Sequence, residues 1–278
     1  MRQLILPEEW DGGPTCVLEG EKARYVGRVL RMTEGSVFPA RDAGGRAWLC
    51  RVTRSSPGRV ALAVEAAPAG MDASRMPDAR AGSSEAAATP EASAAGSLPP
   101  RIALVQGLLR GPRMDLVVRQ AAEAGVVAVI PLVSSRSLPS AGEGGRVERW
   151  ARIVREARQQ SGSAVATFVA EPVALGGLES ALEAAGIDPA SPRVLLHEAP
   201  LAQSSMHGYL TEARGEAVVC VGPEGGFASS EVEALAERGF WPLRFDGAVL
   251  RAETAALYAI AAAQIVLSER SSWNPKPE

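Results

Sequence analysis

The chain has 278 residues, 46% of them hydrophobic, and a formal net charge of −3 at pH 7. This length and hydrophobic content are sufficient for two domains, each with its own core. No apolar run approaches the roughly 20 residues that a transmembrane helix needs, and the N-terminus lacks the pattern of a secretory signal. The three cysteines and two histidines follow neither a metal-ligand nor a disulfide spacing. We therefore expect a cytoplasmic protein with no membrane span and no metal.

Residues 1–65 carry the pattern of a small β-domain. The segments VFPARD, AWLCRVT and RVALAVE are rich in β-branched and aromatic residues, and Gly35, Gly44–Gly45 and Pro57–Gly58 separate them. Four to six short strands in so few residues predict a β-barrel. Gly44–Gly45 is typical of a hairpin turn between two of these strands.

The same region is locally basic although the chain as a whole is acidic. Between Lys22 and Arg59 there are nine basic residues and two acidic ones, Glu34 and Asp42. Such an excess can hold a phosphate backbone by releasing its counterions. A solvated surface explains the pattern equally well, so composition alone leaves RNA binding open.

Residues 66–100 differ abruptly from what precedes them. They are mainly Ala, Ser, Gly, Pro, Asp and Glu, with Leu98 as the only branched aliphatic residue. This composition buries too little apolar surface to offset the entropy of ordering. We predict a disordered linker that acts only as a tether.

Residues 101–278 alternate between apolar strands and amphipathic helices. Strands are predicted at IALVQGL, VVAVIPLV, AVATFV, RVLLHEA, AVVCVG and FWPLRF, and helices at DLVVRQAAEAG, RVERWARIVREARQQS, SSEVEALAERG and ETAALYAIAAAQIVLSER. The second helix places Trp150, Ile153, Val154 and Ala157 on one face. Unbroken apolar strands between helices predict an α/β domain with a mostly parallel sheet covered on both faces.

The sharpest motif is a glycine-rich loop between a strand and a helix. AVVCV runs into Gly222–Phe227, and Ser230 with Glu233 fits a capping box that begins the next helix. Ligands bind at such strand ends in open α/β sheets. The loop lacks both the dinucleotide and the P-loop patterns, and Glu224 would repel phosphate. It suits a neutral or cationic ligand or a ribose, although a tight turn without function also explains the glycines.

Two further loops follow strand ends in the same way. LLHEAP ends a strand in His197 and Glu198, and LRAETAA, which contains Glu253, leads into an alanine-rich helix. Taken singly, His197 and Glu198 are more often loop residues without function, and Glu253 can simply complement the helix dipole.

In the order LLHEA, VGPEGGF, VLRAETA, these loops resemble the cofactor-binding signature of the SPOUT methyltransferases. The closest resemblance is to the RsmE-like family, which methylates N3 of a uridine in small-subunit (16S) ribosomal RNA. GLLRGPRMDLVVRQAAEAGV, IPLVSSRS and RWARIVREARQQS agree, and RYVGRVLRMTEGS with DAGG is similar to that family's PUA-like barrel. The resemblance spans nearly the whole chain except 66–100.

The resemblance implies a trefoil-knotted α/β domain, bound S-adenosylmethionine, a homodimer, and small-subunit ribosomal RNA or the assembled subunit as partner. Implied cofactor contacts are Leu196, His197, Glu198, Gly222, Pro223, Glu224, Gly225, Phe245, Val249, Leu250 and Arg251. Catalytic candidates, for stabilising a uridine anion or removing its proton, are Arg136, Arg251 and Glu253. Candidate RNA contacts are Arg24, Arg28, Arg31, Arg110 and Arg113.

The chain departs from the family pattern at several positions. Ser163 and Ala248 stand where the family has arginine, Gln120 and Arg110 where it has lysine, Tyr25 where it has histidine, and Phe245–Asp246 where it has Leu-Gly. Three other readings therefore stay open. They are a SPOUT enzyme with another RNA target or atom such as the ribose 2′-oxygen, an RNA-binding homologue with weakened catalysis, and a generic nucleotide-binding enzyme.

Overall fold

The computed structural model describes residues 4–67, 99–137, 145–198, 204–211 and 213–269. The chain forms two compact units, one with Met1–Gly96 and Arg155–Ala166 and the other with Ser97–Val154 and Thr167–Glu278. The predicted boundaries did not anticipate that Arg155–Ala166 groups with the N-terminal strands. Most of the predicted linker, residues 68–98, lies outside the described residues.

The N-terminal unit is built on a five-stranded sheet in the order β1-β3-β4-β5-β2. Its strands are β1 (Leu4–Ile5), β2 (Thr15–Glu19), β3 (Val37–Arg41), β4 (Ala47–Ser56) and β5 (Arg59–Ala66). All neighbours pair antiparallel except β1 and β3, which are parallel. The predicted hairpin is confirmed, since Gly45 donates its N–H to the carbonyl of Asp42 and adopts φ +88° between β3 and β4.

A short helical segment interrupts these strands. It consists of α1 (Gly20–Arg24) and a π-helical turn, Tyr25–Val29. Arg31 follows with φ +55°, an uncommon conformation for a residue with a side chain. Sequence reasoning missed this segment because two five-residue turns are too short to show a helical period.

The second unit contains a seven-stranded sheet whose order is β12-β10-β11-β6-β7-β8, with β9 also paired to β7. Its strands are β6 (Arg101–Gly107), β7 (Ala128–Val133), β8 (Phe168–Val169), β9 (Val173–Ala174), β10 (Arg193–Leu196), β11 (Glu216–Val221) and β12 (Phe240–Leu243). Every pairing is parallel. The predicted parallel α/β sheet is therefore confirmed, and its central apolar strands lie in the core.

Helices connect the parallel strands. They are α2 (Pro112–Glu123), α3 (Arg146–Ser161), α4 (Leu178–Ala184), α5 (Met206–Leu210), α6 (Ser229–Glu237) and α7 (Ala252–Glu269). The predicted apolar face of α3 is buried, with Trp150 2% exposed. Gly125 ends the turn after α2 with φ +73°, as predicted. Within the described ranges, no helix is long and apolar enough to cross a membrane.

The predicted capping box at Ser230 and Glu233 is wrong. α6 begins at Ser229, so its N-cap is Ala228, two residues before Ser230, and Ala228 has no side-chain acceptor. Glu231 makes one of the two hydrogen bonds of a capping box, because its Oε2 accepts the N–H of Ala228 at 2.8 Å. Its Oε1 accepts the N–H of Ser135 at 2.7 Å and ties the loop after β7 to the start of α6.

Candidate active site

A cavity of about 540 Å³ lies in the second unit, at the carboxyl ends of β10, β11 and β12. Because these parallel strands are neighbours in the sheet, the loops that follow them leave at the same edge. The three loops meet there although they are far apart in sequence. The lining residues are Arg113, Leu196, His197, Glu198, Val221, Gly222, Pro223, Glu224, Gly226, Leu243, Arg244, Phe245, Gly247, Ala248, Val249, Leu250, Arg251, Ala252, Glu253 and Ala255.

This cavity brings together the residues that the resemblance implied for the cofactor, with one exception. Gly225 is not among the described lining residues. Its carbonyl instead accepts a hydrogen bond from Nη1 of Arg136 at 2.8 Å. Sequence reasoning did not select Arg244, which also lines the cavity. The sequence feature that could have identified Arg244 is its position as a basic residue following Leu243, near the end of the predicted strand FWPLRF.

The glycine-rich loop after β11 packs directly on the end of β6. A Cβ added to Gly107 would lie 2.4 Å from both Cδ and N of Pro223, so only glycine fits there. Gln106 is fully buried and its Nε2 donates to the carbonyls of Gly222 at 3.2 Å and Gly107 at 3.0 Å. Sequence reasoning missed Gln106, whose signal was a lone polar residue within the apolar strand IALVQGL. These contacts hold one wall of the cavity in place.

Two of the three catalytic candidates line the cavity. They are Arg251 and Glu253, at the entrance to α7. Oε2 of Glu253 is buried, and it has no hydrogen-bond partner among the described residues. A buried carboxylate oxygen of this kind favours a ligand that donates a hydrogen bond. Arg136, the third candidate, is not among the described lining residues and holds Gly225 from outside.

The predicted RNA-contacting arginines lie in both units. Arg24, Arg28 and Arg31 are exposed in the N-terminal unit, on and just after its helical segment. Arg113 lies at the cavity, where its Nη1 donates to Oε1 of Glu224 at 3.1 Å. Arg110 contacts the same carboxylate oxygen through its backbone N–H at 3.4 Å.

The cysteines are poor candidates for nucleophiles. Cys16, Cys50 and Cys220 are all buried. Burial raises the pKa of each thiol, to about 12 for Cys50, so the thiolate form is scarce at neutral pH. Over the described ranges, no group of three or more His, Cys, Asp or Glu side chains could hold a metal ion.

The cavity fits S-adenosylmethionine in size and chemistry. Its volume falls within the roughly 300–1,000 Å³ of small-molecule sites. Apolar side chains such as Phe245 and Leu250 offer surface to an adenine ring, while loop backbone offers donors and acceptors. Glu198, Glu224 and Glu253 place carboxylates around a ligand whose sulfonium is cationic.

Two known domain families match the chain, one in each of two separate stretches of sequence. The profile of the RNA methyltransferase domain matches residues 97–264, more than half of the chain. The chain belongs to this RNA methyltransferase family. The profile of the RNA methyltransferase PUA domain matches residues 18–65 as well. The methyltransferase and PUA-like assignments drawn from the sequence motifs are thus confirmed.

Individual relatives match this RNA methyltransferase over nearly its full length. Ribosomal RNA small subunit methyltransferase E of Synechocystis sp. is 27% identical over 262 residues, which cover 94% of this chain and 76% of the relative. The protein of the same name from Mycobacterium tuberculosis is 26% identical over 93% of this chain and 89% of its own. The crystal structure of a Ribosomal RNA small subunit methyltransferase E from Neisseria gonorrhoeae, bound to S-adenosyl methionine, has a TM-score of 0.72 and 26% identity, covering 96% of this chain and 98% of that one.

Proposed function

We propose that this RNA methyltransferase uses S-adenosylmethionine to methylate N3 of a uridine in small-subunit ribosomal RNA. One observation carries the proposal. The three loops that the sequence signature singles out meet around one cavity in a chain whose relatives are named small-subunit ribosomal RNA methyltransferases. A structural neighbour at 26% identity was solved with S-adenosyl methionine bound. We also place the enzyme in the cytoplasm, where ribosomal RNA is accessible.

The cofactor would lie among the three loops. Leu196–Glu198 would contact it on one side, Gly222–Glu224 would form the glycine-rich wall, and Phe245 with Val249–Arg251 would close the cavity. When bound, S-adenosylmethionine supplies an activated methyl group. Loops held in place by Gln106 and Gly107 are preorganised to bind it, which lowers the entropic cost of aligning two reactants.

Methylation at N3 requires that uridine lose the N3 proton. The N3 nitrogen forms a bond to the methyl carbon as the carbon–sulfur bond breaks, and S-adenosylhomocysteine leaves. We assign Glu253 as the acceptor of the N3–H, because its buried Oε2 has no hydrogen-bond partner among the described residues. Arg251 lines the same cavity and would stabilise negative charge on the uridine carbonyl oxygens. Arg136 would act indirectly, by holding Gly225.

We further propose a homodimer formed through α7. The residues Thr254, Tyr258, Ala261 and Ile265 are spaced along one face of this helix, and all four are exposed. The ring of Tyr258 packs edge-on against Phe245, a cavity residue, with centroids 5.0 Å apart. A partner covering this stripe would lie beside the cavity. The trefoil knot implied by the family likewise remains a proposal.

Transfer of a labelled methyl group tests this function. The purified protein is incubated with labelled S-adenosylmethionine and small ribosomal subunits from cells that lack uridine-N3 methylation. We expect label in the RNA of these subunits and none in large subunits treated identically. Calorimetry with S-adenosylhomocysteine provides a separate measure of cofactor binding. Cofactor binding without label would instead support an RNA-binding homologue with weakened catalysis.

A further inference from the structure

The Glu224 side chain forms an ion pair with Arg113 beside the cavity, a contact that the sequence does not indicate. Oε1 of this residue accepts two hydrogen bonds near the start of α2. The donors are the backbone N–H of Arg110, in the loop after β6, at 3.4 Å and Nη1 of Arg113, in the first turn of α2, at 3.1 Å. The side chain is 31% exposed, so the ion pair is partly shielded from water. The acidic residue of the glycine-rich loop is thus paired with an arginine in the first turn of α2.

Backbone geometry brings the two loops into contact. β6 and β11 pair in register from Arg101 with Glu216 to Gln106 with Val221, so both chains leave the sheet side by side. Gly111 adopts φ +51° just before α2 and provides no side-chain cap. The Glu224 carboxylate therefore lies at the uncapped N-terminus of α2, where the helix dipole favours negative charge.

Arg113 has donor capacity left over. Among the described contacts, its side chain uses only Nη1, which leaves Nε and Nη2 for a ligand. The side chain lines the cavity and is 47% exposed, which places it at the cavity mouth. A guanidinium held on one edge by a carboxylate is well oriented to meet a phosphate with its other edge.

We infer that Glu224 is a positioning residue that holds the Arg113 guanidinium at the cavity mouth, where it contacts a backbone phosphate of the RNA strand entering the site. This inference rests on the proposed function, since it needs RNA at the cavity. The inference assigns Glu224 an indirect part in RNA binding, although this residue belongs to the proposed cofactor-binding loop. Its negative charge would otherwise repel RNA, so the sign of its effect on RNA affinity is diagnostic.

The test measures RNA affinity as a function of salt. The probe is an unmodified transcript of small-subunit ribosomal RNA, and the variants are Arg113→Gln, Glu224→Gln and their combination. The logarithm of the association constant falls as the logarithm of the salt concentration rises. Loss of one phosphate contact reduces the steepness of this fall, the salt slope, by about 0.7 to 1. We expect Arg113→Gln and Glu224→Gln each to weaken binding and to lower this slope. Glu224→Gln should have little further effect once Arg113 is replaced.

Arg101→Gln is the matched control. Arg101 pairs with Glu216 at 2.7 Å on the same two strands but at their amino ends, away from the cavity. The Arg101→Gln substitution removes a comparable ion pair, and we expect the salt dependence of RNA affinity to be unchanged. If Glu224 were merely an acidic neighbour, Glu224→Gln would tighten RNA binding, and that result would overturn the inference.

Three further outcomes separate this inference from the proposed function. If Arg113→Gln weakens S-adenosylhomocysteine binding and leaves the salt slope unchanged, Arg113 contacts the cofactor carboxylate and the inference is wrong. If the unsubstituted protein neither binds nor methylates the small-subunit RNA, the proposed function itself fails. Methylation by the unsubstituted protein, together with an unchanged slope in both variants, would reject the inference alone.

Discussion

Gly107 shows how a missing side chain fixes one wall of the cavity. It ends β6 and touches Pro223, and even a methyl group there would lie 2.4 Å from backbone and ring atoms. Nε2 of Gln106, beside it, donates to the carbonyl of Gly107 at the end of β6 and to that of Gly222 in the loop after β11. The cavity wall therefore depends on close backbone approach as much as on side chains that face a ligand.

Gly107→Ala should displace the glycine-rich loop. We expect S-adenosylhomocysteine to bind about tenfold more weakly or worse, a loss of about 1.4 kcal/mol or more, as measured by calorimetry. Gly176→Ala is the control, because a Cβ at Gly176 meets nothing within 4 Å. Unchanged affinity in a folded Gly107→Ala protein would show that this contact does not shape the cavity.

Glu253→Gln should separate chemistry from cofactor binding. Replacing the carboxylate removes the proposed proton acceptor but keeps the shape of the side chain, so we expect turnover to fall by about a hundredfold or more. Calorimetry should still detect S-adenosylhomocysteine binding. Glu233→Gln, on the exposed face of α6, is the control and should retain full turnover. Full turnover in Glu253→Gln would rule out Glu253 as the acceptor.

Among the elements, the start of β11 shows how the amino ends of the strands, which lie away from the cavity, are held together. Glu216 accepts hydrogen bonds from Nε of Arg101 at 2.7 Å, Oγ of Ser191 at 2.6 Å and the N–H of Asp188 at 2.8 Å. Burial raises its pKa, but these bonds outweigh burial and the net pKa is lowered. A lowered folded-state pKa means that ionised Glu216 stabilises the fold.

Glu216→Gln should make stability less sensitive to acid. The stabilisation by Glu216 is fully present above the unfolded-state pKa of about 4.3 and is lost as pH falls through the lower folded-state value. We expect the variant to lose about 1–2 kcal/mol of unfolding free energy at pH 7 and to differ less from the unsubstituted protein near pH 3. Urea unfolding at both pH values measures this, and an equal loss at both would contradict the assignment.

The elements also show where sequence reasoning succeeds. α3 begins and ends at the predicted residues, because its apolar positions repeat with a clear helical period. The strand predicted at AVATFV shortens to Phe168–Val169, since β8 is an edge strand whose partner among the described residues is β7. The capping prediction failed because the start of α6 uses Glu231 instead of the Ser230–Glu233 pair.

On the scale of the whole molecule, the cavity depends on topology that no local pattern reveals. β10 lies between β12 and β11, so Leu196 and Arg251 line the same cavity although the strand order differs from the chain order. The family resemblance identified the three loops before their geometry was known. It did not predict Gln106, Arg244 or the pairing of Arg113 with Glu224, because these contacts depend on how neighbouring loops pack.

Assembly belongs to this scale as well. Ile265→Glu would place a charge in the exposed stripe of α7, and desolvating that charge at an interface is costly. We expect light scattering after size exclusion to show dimers for the unsubstituted protein and monomers for the variant. Phe168→Glu is the control, since Phe168 is 43% exposed and Ile265 is 52% exposed, and Phe168 lies on edge strand β8. Dimers that persist in Ile265→Glu would place the interface elsewhere.

The most direct test of the central claim is nucleoside mass spectrometry. Small ribosomal subunits that lack uridine-N3 methylation are treated with the protein and S-adenosylmethionine, and their RNA is digested to nucleosides. The proposed function predicts about one N3-methyluridine per small-subunit RNA, formed about a hundredfold more slowly when Glu253→Gln replaces the unsubstituted protein. A ribose-methylated nucleoside, or a methylated base other than uridine, would contradict it.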